Sequence, residues 1–219
     1  MSHCRDEHDH SNDGHGHGHH DHDHDHDHDG PERGAEESLY SRIDRDNVRC
    51  LNEREPDSGK NVIKPWNERD DTTKCIESDV DEQLIIFIPF TGSVKLKSIS
   101  VKAGPGDSCP STLKAYINRE DVDFDTVEGY TATQEWELVQ SPDVVEYQTR
   151  IAKMYNVRNL TLYFPENFGD DITRIYYIGL KGEWTEIKKD HIITLYEATP
   201  NPVDHKNPAG ENKAHHAID

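Results

Sequence analysis

The densest chemistry in the chain is a run of imidazoles and carboxylates. His15, His17, His19, His20, His22, His24, His26 and His28 alternate with Gly and Asp up to Gly30. Nitrogen and oxygen donors this close together on a flexible chain can bind Zn, Ni or Cu in shifting combinations. The same residues also read as a solvated leader that selects no ligand. A metal-handling role and incidental metal affinity are therefore both open. Imidazole titrates near a pH of about 6.5, so the charge of this run changes there.

A second cluster, Glu77, Asp79, Asp81 and Glu82, stands just ahead of an apolar run. Three readings are open. It could be a partner-facing loop, a calcium site built from oxygen ligands, or a turn in which one Asp caps backbone amides. A full EF loop with its central Gly is absent.

Other catalytic patterns are missing. There is no G-x-S-x-G, no G-x-x-x-x-G-K-[ST] and no G-x-G-x-x-G. Between residues 39 and 197 the one histidine is His191, whereas triads and acid–base dyads need a tuned base inside a pocket. Cys4, Cys50, Cys75 and Cys109 are dispersed with no C-x-x-C, so free thiols are expected. Neither an enzymatic activity nor a cofactor is expected. Trp136 alternates with Leu138 and reads as core. Trp66 follows Lys64-Pro65 and Trp184 follows Gly182-Glu183, so both are open to interface use.

The elements that would position these groups are strands. Leu84 to Phe90 is a continuous apolar run suited to a central strand, with Leu84, Ile86, Ile88 and Phe87 in the core. Thr91-Gly92-Ser93 reads as a turn. Val94 and Leu96 occupy one set of alternate positions, while Ile99 and Val101 fall on the other. The phase slips near Lys97-Ser98, and a bulge would explain it. Leu113, Ala115 and Ile117 give a half-buried strand, and Glu135 to Val139 another. Glu146 to Val157 reads as a short helix or irregular crossover. Leu160, Leu162 and Phe164 alternate, and Asn159-Leu160-Thr161 is a glycosylation match that falls inside this strand. Thr173 to Leu180 is a strand closed by Gly179 and Gly182, and Ile192 to Tyr196 is the last one. Leu39 to Asp44 forms a helical turn. Short strands with well-spaced turns indicate an all-β sandwich or jelly roll.

Hydrophobic residues are only 32% of the chain and gather between the termini, enough for one core. Residues 1–38 read as a disordered His/Asp-rich leader, 39–197 as the folded domain and 198–219, with Pro200, Pro202 and Pro208, as a disordered tail. The net charge is -20, and residues 1–37 hold eight Asp and four Glu against two Arg. With no basic stripe, nucleic acid and anionic membranes are not expected partners. The start MSHCRDEHDH has no apolar signal core, and the longest apolar run is too short to span a bilayer. Cytoplasm and nucleus are the expected location.

The segment Cys75-Ile76-Glu77-Ser78-Asp79-Val80-Asp81-Glu82-Gln83-Leu84 resembles the signature of PITH domains, the proteasome-interacting module of thioredoxin-like proteins. Val94 to Ile99, Asn156-Val157 before Leu160-Thr161-Leu162, and Thr173 to Glu183 follow in the same order. Leu39 to Asp44 and Cys50-Leu51-Asn52-Glu53 resemble the opening of the family. The first signature position is usually aromatic, and Cys75 departs from it. The resemblance implies a galactose-binding-like jelly roll that associates with the 26S proteasome regulatory particle without catalysis. Redox chemistry in the thioredoxin-like relatives belongs to a separate C-x-x-C domain, which has no counterpart here. A small-ligand or sugar-binding jelly roll is the alternative on fold analogy. Docking is expected through loops at one end of the sandwich together with the tail from Thr199. The candidate contacts are Asp79, Asp81, Glu82, Lys181, Glu183 and Trp184.

Overall fold

A computed structural model describes residues 37–187 together with Ala35. The His-rich run, Cys4, His191, the proposed strand at Ile192 and the tail from Thr199 lie outside the described residues.

Among the described residues nine strands form in chain order: β1 (Arg49–Leu51), β2 (Ile76–Glu77), β3 (Leu84–Lys102), β4 (Thr112–Ile117), β5 (Gln134–Glu137), β6 (Val145–Gln148), β7 (Val157–Phe164), β8 (Arg174–Ile175) and β9 (Tyr177–Thr185). A four-residue helix, α1 (Ser58–Asn61), packs on β1. The expected helical turn is present as a one-turn 3-10 helix at Tyr40–Arg42, with Leu39 and Ile43 buried on either side.

The long strand β3 organises the jelly-roll sandwich. Its first half pairs with β1 on one side and β7 on the other, and the layer continues to β4 and β5. Its second half pairs with β9 and β6, which lie on its two sides. All of these pairings are antiparallel. The small β2–β8 pair stands apart. Leu84, Ile86, Ile88 and Phe90 from the first half meet Leu96, Ile99 and Val101 from the second in one core.

Two irregularities make this crossing possible. The register with β7 shifts between Pro89 and Val94, so the strand bends there rather than breaking into the expected turn at Thr91-Gly92-Ser93. Gly92 has a different use. A Cβ at this position would collide with the Trp184 indole, so the glycine admits the ring. The expected slip at Lys97-Ser98 is present as a register shift between Leu96 and Ser98 against β9. Thr149 fills it, donating its hydroxyl to the Leu96 and Lys97 carbonyls at 2.6 and 2.9 Å.

Five further expectations need correction. Phe87 is only half-buried and faces outward, with the Arg49 guanidinium 4.3 Å above its ring. The crossover after Glu146 contains an edge strand, β6, in which half-buried Val145 and Tyr147 alternate with exposed Glu146 and with Gln148. β5 stops at Glu137, leaving buried Leu138 and exposed Val139 beyond it. Gly179 and Gly182 do not close the strand expected from Thr173 but lie inside β9, where a Cβ on Gly182 would strike the Lys95 carbonyl. The half-buried face expected of β4 is instead covered on its outer side. Tyr116, Tyr163 and Ile85 pack there under Val122 and Val127. Asn159 and Thr161 are buried in β7, which fits a coincidental glycosylation match.

Ile86 has no exposed surface and lies between Cys50 and Leu162 on the neighbouring strands. Ile86→Ala is expected to cost about 2–5 kcal/mol in urea unfolding. A loss below about 0.5 kcal/mol would contradict this burial.

Candidate functional site: the acidic signature turn

β3 bends at Pro89–Val94, so its two ends open on the same end of the sandwich. Leu84 pairs with Phe164 there, and Lys102 with Tyr177. The acidic signature lies at this end. Ile76 is fully buried and pairs with Ile175, which sets Glu77 opposite Arg174. Glu77 accepts from Arg174 Nε at 2.6 Å and from Arg54 at 2.7 Å. The next residue, buried Ser78, ties the turn to the chain before β8. Its amide donates to the Thr173 carbonyl at 3.0 Å, and its Oγ accepts from the Thr173 amide at 2.9 Å.

Asn52 holds the rest of the turn. Its carbonyl accepts from the Asp79 amide at 3.0 Å, and its Oδ1 accepts from the Val80 amide at 3.0 Å. Its Nδ2 reaches the Asp81 carboxylate at 2.8 Å, the Asp81 carbonyl at 3.2 Å and the Gln83 carbonyl at 2.7 Å. Asn52 does this with φ at 67°, a left-handed conformation that Asn tolerates better than most residues. Asp81 Oδ1 also accepts from the Gln83 amide at 3.1 Å. Of the three readings of the cluster, the capping turn describes this geometry, and among the described residues no acidic group is arranged to hold a metal ion. Asp79 is exposed and 3.9 Å from Arg54, and Glu82 is half-buried.

Lys181, Glu183 and Trp184 do not join this turn. Lys181 donates to Glu146 at 2.6 Å across β3 and lies 4.4 Å from the Trp66 ring. Burial would raise the carboxyl pKa of Glu146, but its bonds to Lys181 and Ser98 prevail and hold it below the usual range. Glu183 meets Lys97 at 3.1 Å and Lys95 at 3.5 Å, and Trp184 packs on the core with Arg42 at 4.1 Å over its ring. Both oppose Lys95 and Val94 beside the bend, at the far end from the signature. The six candidates therefore do not form one surface.

The described thiols are poor nucleophiles. Burial, and then the charge of Glu53, push the Cys50 thiol far up. Burial, and then Glu77, raise Cys75, and burial alone takes Cys109 up to about 11. Cys75 is half-buried, in line with packing rather than thiol chemistry at this departure from the signature.

Reasoning from charge passed over two residues at this end. Val80, within the acidic run, is 84% exposed, and Phe168 is 42% exposed. The signal for Val80 was an apolar side chain between two aspartates. Asn52 was visible only as part of the opening segment.

Asn52→Gly keeps the left-handed backbone and removes the side-chain bonds. It is expected to lower unfolding free energy by about 1–3 kcal/mol in urea denaturation. A change below about 0.5 kcal/mol would show that these bonds do not hold the turn.

The described fold matches solved structures at low identity. Against the paired CBM32 domains of Clostridium perfringens ZmpB, the TM-score is 0.53 at 14% identity, covering 72% of this chain and 40% of that one. This likeness concerns the fold alone, which is a jelly roll of the galactose-binding-like type. Sequence relatives are much nearer. PITH domain-containing protein GA19395 of Drosophila pseudoobscura pseudoobscura is 46% identical over 179 residues, covering 80% of this chain and 84% of that protein. PITH domain-containing protein 1 of Homo sapiens is 44% identical over 178 residues, covering 80% and 83%. The model of the PITH domain family matches residues 29–200. The chain therefore belongs to the PITH domain family, whose signature forms the turn held by Asn52.

Proposed function

We propose that this domain is a protein-interaction module that associates with the regulatory particle of the 26S proteasome in the cytoplasm and nucleus. The observation that carries the reading is the match to the PITH domain family across residues 29–200. The frame supports it. Two layers fixed by one strand hold the end loops in place, and such loops are where recognition sits on a rigid scaffold. The described chemistry is consistent with binding rather than turnover. The three thiols are pushed up, and residues 37–187 contain no histidine.

A tagged full-length chain captured from cells is expected to enrich regulatory-particle subunits well above a tag-only control. Capture without those subunits would refute the reading.

A further inference from the structure

Of the exposed apolar side chains at the end of the sandwich that carries the signature, which include Val139 beside Cys109, two stand on turns that are fastened from within. Val80 sits at the tip of the first turn, where Asn52 binds residues on both sides of it as well as its own amide. Phe168 sits on the second turn, where Asn167 plays the same part. Asn167 Oδ1 accepts from the Gly169 and Asp170 amides, and its Nδ2 donates to the Asp170 and Ile172 carbonyls. The Phe168 amide is anchored to the Asp107 and Cys109 carbonyls at 3.0 and 3.1 Å. The two turns share a root, because Ser78 and Thr173 exchange two hydrogen bonds. Burying an apolar side chain that is already fixed costs less ordering entropy than burying one on a loose loop.

Acidic side chains predominate around these residues. Asp79, Asp170 and Asp171 are exposed on the two turns, and Asp107 on the neighbouring loop after β3. The nearby cations Arg54 and Arg174 are both turned to Glu77.

We infer that Val80 and Phe168 form the docking surface of this domain for a folded protein whose apolar patch is rimmed by Lys and Arg. The inference rests on the proteasome reading and adds the face that meets the regulatory particle. It places the contact on these residues and not on Glu183 or Trp184, which lie beside the bend at the other end. Salt should weaken association, because exposed complementary charges are screened.

The test is biolayer interferometry of the full-length chain against purified 26S proteasomes at two salt concentrations. Val80→Ser and Phe168→Ser are each expected to raise Kd by about tenfold or more, the range of interface anchors. Tyr155→Ser, a change at another exposed side chain, beside the bend, is expected to leave Kd unchanged. Val80 is so exposed that its variant should keep the wild-type melting temperature, and it decides the outcome alone if Phe168→Ser unfolds. Wild-type affinity in Val80→Ser would overturn the surface while leaving the proteasome reading intact. A Kd that does not rise with salt would overturn the basic-rimmed partner. Absence of wild-type binding would overturn the proteasome reading, and this inference with it.

Discussion

One strand belongs to both layers of this molecule, and the rest of the fold follows from that. β3 pairs with β1 and β7 before its bend and with β9 and β6 after it. Side chains that face the core at even positions up to Leu96 face it at odd positions from Ile99 onward. The extra residue at Lys97 makes that change of phase possible, since a one-residue step in a strand exchanges its faces. Without the bulge, Ser98 and Ser100 would point into an apolar core. With it, they lie on the outer side of their layer, beside Lys181 and Glu146 on the flanking strands. The bend has a topological consequence as well. It returns Lys102 to the end where Leu84 began, so the loops before and after β3 become neighbours.

The signature of the family acts on this arrangement at the start of the strand. Buried Ile76 and Ser78 fasten the segment to β8, and Glu77 is held between two arginines. Asn52 and Asp81 then fix the path into Leu84. Most of the acidic motif is thus engaged in local structure. The apolar side chain, Val80, is left outside together with Asp79. The density of carboxylates in this motif suggests chemistry at those groups, whereas its geometry directs attention to what the carboxylates hold in place. The contrast with the bend is informative. Trp184 is large and near the surface, yet Gly92 beneath it and Arg42 above it make it part of the packing.

Period-two patterning revealed most of the fold. The apolar run of β3, its phase slip, and the alternation in β4 and β7 all sit where the sequence reading placed them. The errors share a cause. Thr91-Gly92-Ser93 has the composition of a turn, but its glycine is required by the Trp184 ring on a strand distant in sequence. Gly182 likewise admits the Lys95 carbonyl rather than ending a strand. β6 is a short edge strand with polar alternate positions, Glu146 and Gln148, which carries little hydrophobic signal. β1, β2 and β8 are too short for any period to show. Within the site, the acidic turn and its capping role were legible from residue type. Its partners were not, because Asn52 and Arg174 meet it only through pairing across the sheet. Lys181, Glu183 and Trp184 were grouped with it by sequence proximity to Thr173, and the direction of β9 carries them away.

The central claim is that Asn52 holds the signature turn rigid so that Val80 is presented in a fixed position. Amide hydrogen exchange of the Val80 N–H in the full-length chain tests it most directly, because the side chain is exposed while its amide donates to Asn52. The account predicts exchange slowed on the order of a hundredfold or more relative to an unstructured peptide. Exchange at the rate of an unstructured peptide would contradict it.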